Sequence, residues 1–443
     1  MANSSPYWNP KNETMPKEEL RALQLVKLRR LVERAWHESP FHRRLYEGAG
    51  VSPEDIRTLD DIRRLPFMTR EDWMANQAEL EPFGDLMTRG REDAIRYHLT
   101  SGTSGRQPLR VLDGRKDWKW IAECWCYGFW GFGVRPGDTV FFAFSYGSFI
   151  GFWGAHYACE KIGALVMPSG NMTTENRVRQ LVEMDATVVC ATPTYAIRMA
   201  NEADRLGIDL RKSRVEKLIL SGEPLGAKAM IEERWGAKAS DTAGMTEIGT
   251  IFMFEAAHQP GGTHIIEDHF IEEVIDPDTG EPRGYGEIGE RVCTSFGRGF
   301  LPLIRYRSRD LVKKLPHTHS DCGRTFDLYE NGIIGRADDM LLIRGTNVYP
   351  LAIETIVREY RAVEEFRIRA FTADNGVDEL TVDIELTPGS VGEDERARMV
   401  GKLAEDLKRN HEGLRINVEI AAEGELPRFE LKAKRLVDSR PRN

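Results

Sequence analysis

Cysteine is scarce in this sequence, and its positions form no evident pairs. The 443 residues contain six cysteines. Disulfide-stabilised domains are short and dense in cysteine, whereas scattered cysteines in a long chain are typical of a reducing compartment. The sequence therefore predicts a cytoplasmic protein without a disulfide framework. The cysteines are Cys124, Cys126, Cys159, Cys190, Cys293 and Cys322.

Excess positive charge and long apolar runs are also lacking. The net charge of −9 at pH 7 disfavours nucleic acid and anionic membranes as main partners. The most apolar stretch, residues 139–155, is short for a membrane span and is broken by glycine and serine. The N-terminus is polar and has no apolar core, so no signal peptide is predicted.

The length and the periodicity predict an α/β protein of several domains. A chain of 443 residues exceeds one ordinary hydrophobic core. Helical spacing at 18–35 and 176–184, with buried strands at 186–193 and 215–221, is typical of a mostly parallel sheet.

The pattern changes twice toward the C-terminus. Extended segments joined by glycine and proline turns over 268–310 predict a β-rich subdomain. Strands and a charged helix after residue 335 predict a small α+β domain. We therefore expect one domain at 1–335 and a second, mobile one at 336–443.

A run of hydroxyls and glycines allows two interpretations. Serine, threonine and glycine together are typical of a surface turn. They also suit a phosphate cradle, because bare backbone N–H groups approach an anion closely and hydroxyls add donors. The spacing matches neither G-x-x-x-x-G-K-[ST] nor G-x-G-x-x-G, so the run alone does not decide. Its members are Thr100, Ser101, Gly102, Thr103, Ser104 and Gly105.

Six further turns rich in glycine, proline or charge follow this run. They are SGEP at 221–224, DTAGMTE at 241–247, RYRSRD at 305–310, GRADD at 335–339, RGTNVYP at 344–350 and LPRFELKAKR at 426–435. With ELRALQL, SPFHRRLYEGAGV and IIEDHFIEEVIDPDTGEP, the set resembles the adenylate-forming superfamily, most closely the phenylacetate–CoA ligase family. The resemblance covers residues 19–438.

The resemblance implies where the phosphates and the metal bind. Glu247 would hold Mg²⁺, which prefers hard oxygen ligands, and Thr246 would lie beside it in the same catalytic turn. Lys432 would be the mobile catalytic lysine, neutralising charge as a carboxylate attacks phosphorus. The β- and γ-phosphates of ATP would lie against Ser101, Gly102, Thr103, Ser104 and Gly105.

The same resemblance implies the nucleotide contacts. Asp310 would accept hydrogen bonds from both ribose hydroxyls, with Arg336 beside it. A turn after a buried parallel strand lies at the sheet edge where ligands bind. The residues expected around AMP at such turns are Glu223, Pro224, Asp241 and Thr242.

The acid and CoA sites follow from the resemblance as well. Tyr146 and Phe149, in an aromatic-rich run, would face the acyl group together with Gly244. Asp338 would be the hinge of the small domain, and Gly345 would leave room for the pantetheine arm of CoA. Ordinary core packing remains the alternative for most of these aromatic side chains.

Five positions depart from the family pattern or compete with it. Arg106 stands in place of lysine, and Gln107 lengthens the spacing to the next proline. Ala243 replaces the tyrosine that stacks on adenine, a loss worth on the order of 1 kcal/mol. Leu431 replaces a glycine, so Lys434 is a rival to the predicted catalytic lysine.

A zinc site is not expected, although some family members carry a Cys/His cluster. A structural zinc site needs four nitrogen or sulfur ligands, and the cysteine positions of the family are here Ala256 and Ser320. The remaining candidates are His258, His264, His317, His319 and Cys322.

The sequence is thus interpreted as an ATP-dependent aryl- or arylacetyl-CoA ligase that uses Mg²⁺, a small aromatic acid and CoA. Two alternatives stay open. In the first, the protein adenylates the acid but loads a carrier-protein thiol or transfers AMP to a cofactor acid. In the second, it binds nucleotide without catalysis. A homodimer is also possible.

Overall fold

The chain, in a computed structural model, is described at residues 5–100, 108–374, 376–429 and 433–441. The predicted helix at 18–35 is confirmed, since Leu20, Leu28 and Leu31 lie on one buried face. The helices are α1 (Pro10–Glu13), α2 (Lys17–Glu38), α3 (Pro40–Gly48), α4 (Arg70–Glu79), α5 (Arg115–Gly131), α6 (Trp153–Ile162), α7 (Thr174–Glu183), α8 (Pro193–Arg205), α9 (Lys228–Trp235), α10 (Pro350–Arg358) and α11 (Glu393–Asn410).

The strands are short except in the middle of the chain. They are β1 (Ala94–Leu99), β2 (Arg110–Gly114), β3 (Thr139–Phe142), β4 (Leu165–Pro168), β5 (Val188–Ala191), β6 (Lys217–Ser221), β7 (Lys238–Met245), β8 (Thr250–Glu255), β9 (Gly262–Ile265), β10 (Phe270–Ile275), β11 (Ile288–Ser295), β12 (Leu303–Leu315), β13 (Leu328–Arg336), β14 (Leu341–Ile343), β15 (Thr346–Val348), β16 (Val363–Thr372), β17 (Asp378–Leu386), β18 (Asn417–Ile420) and β19 (Leu436–Asp438).

One large mixed sheet organises the N-terminal part of the described chain. Its eleven strands run in the order β10-β11-β12-β13-β9-β8-β7-β6-β5-β3-β4. The pairings from β4 to β7 are parallel, and those from β7 to β10 are antiparallel. The predicted parallel α/β part and the predicted β-rich part are therefore two halves of one sheet, joined at β7.

Helix α5 packs against α6 and β8 and lies in the main hydrophobic core. Gly154 in α6 permits this packing, because a Cβ there would lie 2.6 Å from Trp125 Cδ1 and 2.7 Å from Ile121 Cγ2. Any larger residue at Gly154 would push α6 away from α5. The loop between β3 and α6, residues 143–152, is called the aromatic loop below, and Phe144, Ile150 and Phe152 pack it against this core.

The C-terminal part has its own sheet and its own core. Strands β18-β17-β16-β19 form a four-stranded sheet, covered by α10 and α11. Its buried cluster includes Ile353, Phe366, Ile368, Val382 and Leu403. A separate core is what an independently moving domain needs. The exact boundary at 335/336 stays a prediction.

Across the described ranges, every helix is too short or too polar to cross a bilayer.

Candidate active site

The carboxyl ends of β6 and β7 place two predicted turns at one edge of the sheet. Ser221 at the end of β6 pairs with Thr242 in β7, and the two strands run parallel. Gly222, with φ +92°, begins the turn that carries Glu223. Thr246 and Glu247 follow β7 directly.

Glu247 is buried and forms an ion pair with Arg70. Its Oε1 accepts a hydrogen bond from Arg70 Nη1 at 2.8 Å, and Tyr306 Oη lies 3.5 Å from the same oxygen. Arg70 Nη2 also donates to Thr100 Oγ1 at 3.0 Å. Thr100 is the last described residue before the predicted phosphate loop, so Arg70 connects the residue preceding that loop to the predicted metal carboxylate.

A buried arginine fixes the backbone of the same turn. Arg298 donates to both carboxylate oxygens of Asp113 in β2, at 2.8 and 2.9 Å. Its Nη1 donates to the carbonyls of Thr246, at 2.7 Å, and of Glu247, at 2.5 Å. Gly249, at φ +79°, makes room, since a Cβ there would lie 3.0 Å from Arg298 Cζ. The strand after the phosphate loop is thereby tied to the turn that carries Glu247.

Asp310 and Arg336, which the resemblance places at the ribose, contact each other. They are cross-strand partners on β12 and β13, and Arg336 Nη1 donates to Asp310 Oδ1 at 3.1 Å. Arg336 also makes two 2.9 Å hydrogen bonds to Asp338. Burial lowers the pKa of Arg336, but the charges of Asp310 and Asp338 outweigh burial and raise it. The proposed ribose carboxylate and the proposed hinge thus share one guanidinium.

Asp241 lies in an environment that favours its protonated form. Burial raises its pKa to about 7, and the Glu255 carboxylate adds to the shift while Lys228 opposes it. Gly332, at φ +67°, allows the close approach of β13, because a Cβ there would lie 2.5 Å from Asp241 Oδ2.

Ala243 is buried in β7 opposite Met253. Gly244, next to it, is exposed, and a Cβ there would meet Thr250 O at 2.5 Å. A side chain at Gly244 would thus collide with the neighbouring strand. The structure offers no account of what replaces the missing stacking tyrosine.

The aromatic loop contacts the strand that leads to the phosphate loop. Tyr146 Oη lies 2.9 Å from His156 Nδ1, and the Tyr146 ring lies 4.6 Å from that of Trp153. Leu99 N donates to Ser148 O at 2.9 Å. Phe149 is 40% exposed, so the loop presents aromatic surface that core packing does not use.

The hairpin β14–β15 explains the glycine at position 345. Arg344 and Gly345 form its two-residue loop with φ +52° and +84°. Both residues have positive φ, as a type I′ turn requires, and glycine is favoured in its second position. A Cβ at Gly345 would meet nothing within 4 Å.

Two predicted sites lie outside the described residues. They are the phosphate loop, Ser101 to Gly105 with Arg106 and Gln107, and the lysine segment with Leu431 and Lys432. Ala433 is described, and its N–H contacts Glu223. Lys434, the rival lysine, is exposed.

The zinc candidates are only partly brought together. His264 Nε2 lies 3.2 Å from Cys322 Sγ. His317 Nδ1 lies instead 3.9 Å from Asp327 Oδ1. Within the described ranges, the His, Cys, Asp and Glu side chains form no group of three or more suited to a metal ion.

Sequence reasoning missed Arg70, Asp113 and Arg298. Arg70 lies 177 positions before Glu247, and Asp113 lies 185 positions before Arg298. Such pairs give no local signal. A weak signal existed for Arg298, which lies between two glycines just before the strand of Asp310.

Two protein-family models match the two parts of the chain. One, for AMP-binding enzymes, matches residues 51–296, and the other, for the C-terminal domain of AMP-binding enzymes, matches residues 345–440. The fold and the matched regions define an AMP-binding enzyme with its C-terminal domain.

Full-length relatives narrow this class. The chain is 34% identical over 452 residues to a phenylacetate-coenzyme A ligase of Thermus thermophilus, covering 98% of this chain and 99% of that protein. It is 34% identical over 437 residues to one of Aromatoleum evansii, covering 97% of each. The chain belongs to the phenylacetate–CoA ligase family of adenylate-forming enzymes.

A solved relative in two states is informative about domain arrangement. The chain is 31% identical to 2-hydroxyisobutyryl-CoA ligase in the postadenylation state, with a TM-score of 0.92 over 99% of this chain and 93% of that one. Against the same enzyme in the thioesterification state with CoA, the TM-score is 0.74 at 32% identity, over 99% and 94%. The arrangement of this chain is therefore closer to the postadenylation state.

Proposed function

We propose that this protein is an AMP-forming ligase that joins a small aromatic carboxylic acid to coenzyme A. In the first half-reaction the acid attacks the α-phosphorus of ATP, giving an acyl-adenylate and pyrophosphate. In the second, the CoA thiol attacks the acyl carbon, the bond from that carbon to the phosphate oxygen breaks, and AMP leaves. The observation that carries the proposal is the buried Glu247, held between Arg70 and Tyr306 beside the phosphate-loop strand.

The described residues suit the first half-reaction. Asp310 offers the ribose a carboxylate that Arg336 holds in place. Arg298 fixes the Thr246 and Glu247 carbonyls, so the Glu247 side chain starts from a set position. Phosphoryl-type transfer depends largely on positioning, and these groups supply fixed positions for the ribose and for the Glu247 carboxylate.

Mg²⁺ fits the donor set that Glu247 provides. One buried carboxylate is what this ion takes from proteins when substrate phosphates complete its coordination. Bound there, it would neutralise phosphate charge. Because Arg70 holds the same carboxylate, Arg70 has to release Glu247 to the ion or share it.

Two observations support a flat aromatic acid as the substrate. The aromatic loop offers ring surface for it, and the relatives that match over nearly their whole length are named phenylacetate-coenzyme A ligases. The enzyme should release pyrophosphate from ATP in the presence of flat acids such as phenylacetate and benzoate, but not in the presence of acetate or palmitate. Tyr146→Ala should change the preference among acids more than it changes the Michaelis constant for ATP. Acid-dependent pyrophosphate release across this panel tests both statements.

The control is Tyr146→Phe, which keeps the ring and loses only the contact with His156. Comparable turnover of palmitate would contradict the aromatic assignment. The aliphatic acyl group of the 2-hydroxyisobutyryl-CoA ligase makes small aliphatic acids a necessary part of the panel. Transfer to a pantetheinyl carrier protein instead of CoA would favour a carrier-loading enzyme.

Asp338 is the proposed pivot of the C-terminal domain. Asp338→Pro should fix φ near −65° and slow one half-reaction more than the other, because one of the two domain orientations becomes inaccessible. Separate assays of pyrophosphate release and of thioester formation from a supplied adenylate measure this. Asp338→Ala is the matched control, since it removes the Arg336 contact but keeps backbone freedom. Equal losses in both assays would place the pivot elsewhere.

A further inference from the structure

Glu223 bridges two parts of the chain through its two carboxylate oxygens. Oε2 accepts a hydrogen bond from Thr194 N at 3.1 Å, in the first turn of α8. Oε1 accepts one from Ala433 N at 2.6 Å, in the C-terminal part. Hydrogen bonds to an ionised acceptor are short and strong, and the amino end of a helix adds favourable charge. One carboxylate thus joins the large domain to the segment beside the predicted catalytic lysine.

Arg435 reinforces the same junction from the other side. Its Nη2 donates to Thr194 Oγ1 at 3.0 Å, so Thr194 contacts both halves of the junction. Nε and Nη1 of Arg435 bind Glu365 and Glu354 at 2.7 and 2.9 Å. Arg435 is 7% exposed, as is Thr194. The segment 433–435 is therefore fixed to its own domain and to α8 at once.

The turn that carries Glu223 also packs closely against helix α10. A Cβ built at Gly226 would lie 3.2 Å from Thr355 Oγ1 and 3.6 Å from Thr355 Cα. These distances exist only while the C-terminal domain lies in the arrangement described here. A large side chain at Gly226 would selectively disfavour that arrangement.

We propose that Glu223 is a positioning residue for the first half-reaction, docking the segment 433–435 so that Lys432 reaches its place for adenylation. The proposal rests on the proposed function. It assigns Glu223 a role between domains instead of a contact with AMP. The similarity to a postadenylation arrangement supports it, because the junction is made in that arrangement. The junction has to break before CoA reacts.

The test separates the two half-reactions in the full-length enzyme. Glu223→Ala removes the acceptor of two backbone N–H groups, and we expect pyrophosphate release to slow by about tenfold or more. The Michaelis constant for ATP should stay within about twofold, and so should the rate of thioester formation from a supplied acyl-adenylate. Glu223→Gln keeps one acceptor oxygen and should fall between Glu223→Ala and the wild type.

Gly226→Leu tests the junction without touching the carboxylate. It should slow pyrophosphate release by steric exclusion and leave thioester formation unchanged. Gly401→Leu is its matched control, because a Cβ there meets nothing within 4 Å. Glu233→Gln controls for Glu223→Gln, since Glu233 also contacts the C-terminal part, through Arg361, but on the exposed surface.

Three outcomes would overturn the proposal. They are an increased Michaelis constant for ATP with normal turnover in Glu223→Ala, equal slowing of both half-reactions, and no change in either Glu223→Ala or Gly226→Leu. Failure of the proposed function looks different, because the wild-type enzyme would then release no pyrophosphate with any acid. Thermal melting of each variant separates loss of folding from loss of docking.

Discussion

Replacing Lys432 with alanine should slow acyl-adenylate formation by about 10²-fold or more, the loss expected for one contact that stabilises transition-state charge. The conversion of a supplied acyl-adenylate with CoA should stay near the wild-type rate, since by family resemblance the lysine leaves the site for that step. Pyrophosphate release and CoA-dependent thioester formation are the two measurements.

Lys434→Ala is the matched control for this prediction. It removes the same charge two positions further along, from an exposed side chain. If Lys434→Ala stops adenylation while Lys432→Ala does not, Leu431 has shifted the register of the lysine segment. If neither change matters, the ligase mechanism itself is wrong for this chain.

Gly345→Trp should give the opposite pattern, with normal pyrophosphate release and slow thioester formation. The position has open space around it, so the indole would occupy the proposed path of the CoA thiol without a collision inside the protein. The backbone has φ +84°, which strains any side chain. Gly345→Ala carries that strain without the bulk, so it isolates the effect of filling the path. If thioester formation is impaired in both Gly345→Trp and Gly345→Ala, the cause is strain in the hairpin turn and not a blocked path for the CoA thiol.

The fold was predictable where the information is local. The apolar spacing of α2, the buried strand β6 and the charged helix α11 are each visible in a short stretch of sequence. The continuity of the large sheet was not visible. It depends on β7 pairing parallel with β6 and antiparallel with β8, and strand pairing is set by contacts between distant residues.

The residues of the candidate site also fall into those that local motifs revealed and those that only the folded structure brings together. Asp310 and Arg336 were paired from motifs that the family resemblance supplied, and the structure brings them into contact. The Arg70–Glu247 pair and the Asp113–Arg298 pair were missed, since each partner alone resembles an ordinary charged residue. The contact of Glu223 with Ala433 was also invisible, because it depends on how the two domains lie against each other.

Arg298→Met should have the largest effect on stability. The change leaves Asp113, which is fully buried, without its only charged partner in the described structure. Breaking a buried pair by removing one partner costs about 3–5 kcal/mol in the free energy of unfolding. Burial already raises the pKa of Asp113, and Arg298 opposes that shift. Without Arg298 the folded-state pKa rises further, so the destabilisation relative to the wild type should be smaller at low pH, grow as pH rises toward that pKa and level off above it.

The double variant Arg298→Met/Asp113→Leu separates stability from function. With both charges gone, much of the unfolding free energy should return, since replacing a buried ion pair with apolar side chains is often neutral or stabilising. Adenylation should stay slow, because the Thr246 and Glu247 carbonyls still lack their donor. A higher Mg²⁺ concentration should then be needed for half-maximal pyrophosphate release. Chemical denaturation and a Mg²⁺ titration measure the two effects independently.

Arg324→Met is the matched control for Arg298→Met. Arg324 is also buried, pairs with Glu13 at 2.6 Å and donates to a backbone carbonyl, that of Pro6, at 2.8 Å. Its loss should therefore cost stability of the same order, but the Mg²⁺ concentration for half-maximal activity should not change. If the double variant regains adenylation together with stability, Arg298 only fills and neutralises the core, and the position of Glu247 is set by Arg70 and the turn itself.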